Sequence, residues 1–226
     1  MKLKRVTQAS MPKVGADFIC SQIKTLLKSQ TSVVLALAGG RSAQALCEQL
    51  RKKDISWNKV HVFILDERLV PITDSESNFR LIKESLLDHV AIPKTNIYPF
   101  VYDTLSPHDG ADHYAQELDA LGGTFDILFA SSGEDGHIAG LYPNHPVLRI
   151  KHKSFVTFHD SPKPPAHRMT STVDLIVQTK AALLLFSGAA KKQALAHFRN
   201  AKIAAKDCPA KYLQKTQNLL VLTDIK

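Results

Sequence analysis

Four short segments concentrate the side chains that could carry chemistry. The richest, SSGEDGHIAG (Ser131 to Gly140), puts two glycines, two carboxylates and a histidine directly behind the apolar run FDILFA. Histidine is the side chain best suited to taking and returning a proton near neutral pH. Of the ten histidines, His137 alone sits between glycines and carboxylates at a predicted strand end. Gly133 and Gly136 allow close approach or unusual backbone angles there, and Asp135 is within reach of the imidazole. A metal site is the rival use of the same residues. The spacing of His137 and His145 fits no helical ligand motif, and no further ligands accompany them.

A second segment, LDERLVP (Leu65 to Pro71), sets two acids and an arginine behind another apolar run, where they are costly unless paired or used. Asp66 is a candidate to orient a histidine or a water. Arg68 either binds an anion or pairs with Glu67 in a structural network. The third segment, AGGRS (Ala38 to Ser42), joins a strand to a helix. Gly39 and Gly40 let the backbone approach a ligand, the helix N-terminus offers free N–H groups to an anion, and Arg41 and Ser42 add a charge and a hydroxyl. The same loop also reads as an ordinary glycine turn. In the fourth, KPPAHRMTST with SGAAKKQAL, Arg168 follows a Pro-Pro pair and Lys191 opens a helix. A cation there opposes the helix dipole by on the order of 0.5 kcal/mol unless an anion joins it. Arg168, Lys191 and the Gly39-Gly40 loop together would make a phosphate cradle.

The elements that must position these loops follow from hydrophobic pattern. SVVLALA, VHVFILD (Val60 to Asp66), NIYPF, FDILFA, AALLLFSG and NLLVLTD read as strands, and TSTVDLIVQ as a strand or a strand running into a helix. Helical spacing marks SAQALCEQLRKK, SNFRLIKESLLDHV with Ser77 as N-cap, SPHDGADHYAQELDAL up to the Gly122-Gly123 stop, and AAKKQALAHFRNA. Strands alternating with helices predict an α/β fold: a single-domain, Rossmann-like three-layer sandwich over residues 1–226, with a mostly parallel central sheet flanked by helices. In such sheets ligands sit beyond the carboxyl ends of the strands, where all four segments lie.

Composition narrows the function. The chain has 226 residues, 44% of them apolar, and no run approaching the ~20 apolar residues of a membrane-spanning helix. No secretory signal is apparent, and three widely spaced cysteines suggest reduced thiols, so a cytoplasmic setting is expected. The net charge of +8 suits either nucleic acid or a small anion. The basic residues are scattered and do not interleave with aromatics, which argues against a nucleic-acid platform.

In order and spacing, the four segments resemble the 6-phosphogluconolactonase family, whose larger group includes the glucosamine-6-phosphate deaminases. Its SGG(S/R)(T/S)P loop is matched by AGGRSA, DERxVP…SN by DERLVPITDSESN, GxGxDGHxASLFP by SSGEDGHIAGLYP, KPPxxRxT by KPPAHRMT and GxxKxxAL by GAAKKQAL. Ala38, Ala43, Ser131 and Gly140 depart from the pattern beside these groups without removing any. Arg68, Val70 and Pro71 favour the lactonase branch over the deaminases.

The resemblance implies hydrolysis of 6-phospho-D-glucono-1,5-lactone in the oxidative pentose phosphate pathway, with no cofactor and no metal. His137 would be the general base. Asp66 or Asp135 would hold its tautomer, and Arg68 would steady the oxyanion. Gly39, Gly40, Arg41, Ser42, Asn78, Arg168 and Lys191 would bind the substrate and its phosphate. The expected partner is a small phosphosugar lactone, with neither nucleic acid nor membrane involved, and the expected assembly is a monomer or small homo-oligomer. Two other functions fit the same residues: a deaminase or isomerase of amino-sugar phosphates, and a non-catalytic sugar-phosphate binder.

Overall fold

The computed structural model describes residues 1–226, the side chain of Pro107 excepted. In chain order the strands are β1 (Lys2–Arg5), β2 (Val33–Leu37), β3 (Val60–Ile64), β4 (Asp66–Arg68), β5 (Ile97–Tyr98), β6 (Ile127–Ser131), β7 (Phe155–Phe158), β8 (Arg168–Ser171), β9 (Ala181–Phe186) and β10 (Asn218–Thr223). The helices are α1 (Met11–Leu26), α2 (Arg41–Leu50), α3 (Asn78–Ser85), α4 (Ala111–Asp119), α5 (Val173–Ile176) and α6 (Lys192–Arg199).

Seven strands form one sheet in the order β1-β10-β9-β6-β2-β3-β5. Every pairing in it is parallel. Side chains alternate across it, so β2 sends Val34 and Ala36 to one core and Val33, Leu35 and Leu37 to the other. The second core is closed by Ile19 and Ile23 of α1, Leu46 and Leu50 of α2 and Phe79 and Ile82 of α3. The first is closed by Tyr114 and Leu118 of α4 and Leu195 and Phe198 of α6. A sheet covered on both faces explains why β2 and β9 are apolar at every position and fully buried.

The sequence reading is extended in three places. It assigns no element before Ser32, whereas β1 pairs in parallel with β10, and α1 carries apolar residues at helical spacing. It runs one strand from Val60 through Asp66. In the structure β3 stops at Ile64, and Asp66–Arg68 turns away into a second, antiparallel sheet ordered β4-β8-β7. Leu65 is the pivot: its N–H bonds Leu37 O of the parallel sheet, and its carbonyl accepts from Ser171 of β8. Finally, TSTVDLIVQ resolves into a strand followed by a helix, with the Thr172 hydroxyl accepting from Leu175 N–H at the junction. Among the described residues no helix is long and apolar enough to cross a membrane.

Candidate active site

The loop after β6 folds tightly around His137. Gly133 N–H donates to His137 O at 2.8 Å and Gly136 N–H to Gly133 O at 3.2 Å, with Gly136 at a φ of 85°. Gly133 is required by space: a Cβ there would lie 2.0 Å from both Cε1 and Nδ1 of the His137 ring. Nδ1 of His137 is 2.5 Å from Oδ1 of Asp135, which also accepts from the His137 N–H at 3.2 Å. Burial alone would raise the Asp135 carboxyl. The His137 bond and charge, helped by Lys163, outweigh it and hold the group well below the usual carboxylate range. An ionised carboxylate only accepts, so Nδ1 carries the proton and Nε2 is left as the basic nitrogen. Tyr142 braces the ring from one side, its centroid 4.8 Å from that of His137.

The DER segment lies across the same cavity. Glu67 is buried, and among the described residues its carboxylate makes no ion pair with the Arg68 guanidinium. Its Oε1 accepts from Arg68 N–H and Asn78 N–H, each at 2.7 Å, and its Oε2 from Phe79 N–H at 2.8 Å and Ser77 Oγ at 3.0 Å. It therefore caps the first turn of α3, where free N–H groups await an acceptor. Burial pushes its carboxyl up and these bonds pull against it. The alternative pairing of Glu67 with Arg68 is not formed. Arg68 Nη1 donates to Glu76 O, and its buried Nε has no partner among the described residues.

Asn78, fixed by that cap, donates from Nδ2 to Asp66 O at 2.7 Å and Asp66 Oδ2 at 3.4 Å. Burial raises the Asp66 carboxyl, while Arg168, Arg68 and His137 oppose the shift through their charge. Of the two acids offered for orienting the histidine, Asp135 is the one bonded to it. Asp66 is held by Asn78 instead.

The third segment forms the floor. A Cβ on Gly39 would fall 1.9 Å from Asn78 Oδ1, so the AGGRS loop and α3 interlock only because Gly39 has none. Gly40, at a φ of 96°, caps α2 with its backbone. Among the described residues no acceptor meets the N–H groups of Arg41 or Ser42. These N–H groups open onto a cavity of about 480 Å³ that is also lined by Ser132, Gly188, Ala190 and Lys191. Lys191 stands in the turn leading to α6, 3.7 Å from the exposed carboxylate of Glu134.

A second cavity of about 260 Å³ holds His137, Asp66, Arg68, Asn78 and Arg168. The two share Gly39, Gly40 and Ser131 as a common rim. Arg168 and Lys191, expected to clasp one anion, thus line different cavities. Arg168 is buried and anchored on Pro164 O and Pro165 O, both at 2.9 Å. The sequence reading passed over Lys163 and Tyr142, which also line the His137 cavity. Tyr142 reads as a core aromatic, and Lys163 sits in a proline-rich stretch with no periodicity to place it. Of the departures from the family pattern, Ala43 is buried in the core of α2 and Ser131 lies on the rim. Gly140 packs where a Cβ would press Thr170 at 2.8 Å.

A wholly parallel sheet with an anion-ready helix N-terminus and an acid-backed histidine at its carboxyl edge defines an α/β protein built for small anionic substrates. The chain belongs to the family described as glucosamine-6-phosphate isomerases/6-phosphogluconolactonase, whose sequence model matches residues 7–222. It is 34% identical to the 6-phosphogluconolactonase of Borreliella burgdorferi, over 85% of this chain and 83% of that one. Identity to the 6-phosphogluconolactonase of Synechocystis is 29%, over 91% and 88%. The solved structure of 6-phosphogluconolactonase from Thermotoga maritima superposes with a TM-score of 0.87 at 24% identity, covering 99% of each chain. A monomeric glucosamine-6-phosphate deaminase superposes almost as well, at 0.84 and 22% identity over 99% of this chain and 97% of that one. The fold is therefore common to both branches, and the nearer sequence relatives lie on the lactonase side.

Proposed function

We propose that the chain hydrolyses 6-phospho-D-glucono-1,5-lactone to 6-phospho-D-gluconate, the lactonase step of the oxidative pentose phosphate pathway. The observation that carries this reading is the junction of the two cavities. An acid-backed histidine lies on one side of Gly39-Gly40, and free helix N–H groups with a lysine lie on the other.

The substrate phosphate rests on the N–H groups of Arg41 and Ser42, with Lys191 displacing Glu134 to meet it. The lactone ring reaches across the glycines to His137. Nε2 takes a proton from water as the oxygen adds to C1, and Arg68 and Arg168 steady the oxyanion. The ring C–O bond then breaks, and the imidazolium returns its proton to the leaving ring oxygen. Asp135 keeps Nδ1 protonated throughout, and Asn78 with Asp66 fixes the wall opposite. We take residues 1–226 as one domain, whose first and last strands pair, acting in the cytoplasm as a monomer or small homo-oligomer.

The test is pH-stat hydrolysis of freshly made lactone, with unphosphorylated gluconolactone as control. The chain should favour the phosphorylated substrate, and Lys191→Met should erode that preference through KM. General-base catalysis typically supplies ~10²–10⁴ in rate, so His137→Ala should lose at least about tenfold. Release of ammonia from glucosamine 6-phosphate, or binding of 6-phosphogluconate without any acceleration of lactone decay, would overturn the reading.

A further inference from the structure

Two tyrosines in this fold are nearly sealed from solvent, and among the described residues the hydroxyl of only one is bonded within the protein. Tyr114, 2% exposed, receives Ile64 N–H at 2.7 Å and donates to Tyr98 O at 3.0 Å. Tyr142, 3% exposed, has no hydrogen-bond partner among the described residues, and its hydroxyl is not among the fully enclosed atoms. Its ring is fixed between His137, Phe158 and His145, at centroid distances of 4.8, 6.4 and 6.2 Å. Tyr142 also lines the His137 cavity. Buried phenols ordinarily find a partner, so this one is left for whatever fills the cavity.

The chemistry around it says what that is. Arg68, Arg168 and Lys163 can only donate, and Asp66 when ionised can only accept. The phenol does both, as does a sugar hydroxyl.

Resting on the lactonase reading above, we propose that Tyr142 is a substrate-contacting specificity residue whose hydroxyl bonds a ring hydroxyl of the sugar. Tyr142→Phe keeps the ring and removes only that group. One neutral hydrogen bond corresponds to about a three- to tenfold effect. The variant should therefore lose that factor in kcat/KM, chiefly through KM, with its melting temperature and pH–rate profile unmoved. Its Kd for 6-phosphogluconate, measured by calorimetry, should rise by the same factor. Values of KM and Kd within about twofold of wild type would overturn the proposal. So would a displaced pH profile at constant KM, which would mean that Tyr142 acts through His137. If the wild type binds 6-phosphogluconate yet does not speed lactone decay, the lactonase reading fails, while the Kd comparison still decides the fate of Tyr142.

Discussion

Replacing Gly133 with alanine adds one carbon and removes no functional group, which makes it a clean probe of the histidine corner. Gly133 is not among the positive-φ glycines, so alanine can take its backbone without strain. The added Cβ would stand 2.0 Å from His137 Cε1 and Nδ1 and 2.7 Å from Asp135 Oδ1. Carbon atoms pack at roughly 3.5–4 Å, so the imidazole must withdraw by about 1.5 Å. Such a shift breaks the 2.5 Å contact with Asp135 and moves Nε2 off the line to the lactone carbonyl. A misplacement of ~1 Å in a reacting group can cost ~10²-fold in rate. The lost bond to the ionised carboxylate is worth about 1.5–3 kcal/mol, which leads to a similar figure. The expected result is a kcat about 100-fold lower, with KM for the phosphorylated lactone little changed because the N–H groups of Arg41 and Ser42 are untouched. Initial rates by pH-stat, corrected for spontaneous decay, measure both constants, and a thermal melt checks the fold. A variant with normal melting and a kcat within about threefold of wild type would refute both the ring's placement and its role as base.

Two further outcomes follow from the carboxylates. Glu67→Gln places an amide N–H₂ against donors that now meet a carboxylate oxygen, orphaning at least one of the N–H groups at the start of α3. Urea unfolding should show a loss of about 1–3 kcal/mol, and an unchanged midpoint would count against the cap. Asp135 is held below its ordinary range in the folded state, so its ionised form favours the fold. That contribution is complete above the unfolded carboxylate value of about 3.9 and fades as pH falls towards the folded one. The stability gap between wild type and Asp135→Asn should therefore be widest near pH 7 and narrow below about pH 4. A gap independent of pH would exclude the ionised pair.

The parallel sheet was legible because strands buried on both faces must be apolar throughout, as VVLAL and AALLLF are. The small sheet was not, because Asp66–Arg68 is three polar residues whose partners lie about a hundred positions away at Arg168–Thr170. β1 escaped because KLKR is an exposed edge with no hydrophobic alternation. Within the candidate site, the packing of His137 among glycines and a carboxylate was legible from its neighbours alone. The choice between Asp66 and Asp135 was not, since both lie at strand ends and only the fold of the glycine loop turns Asp135 onto Nδ1. The division of Arg168 from Lys191 was equally hidden, because it depends on the two prolyl carbonyls that tether the guanidinium on its own side.

One chain of contacts joins the walls of the two cavities. Glu67 fixes the first turn of α3, that turn fixes Asn78, and Asn78 bonds Asp66 in the wall of the histidine cavity. The same Asn78 side chain occupies the space that Gly39 leaves open, where the N–H groups that would meet the phosphate begin. A buried carboxylate whose ionisation is disfavoured by burial is retained there because four donors and a helix N-terminus depend on it. Disturbing Glu67 should consequently weaken phosphate binding and proton transfer together. Disturbing Lys191 or Gly133 should affect only one of them, so the split between KM and kcat across these three positions tests whether the shared wall is rigid.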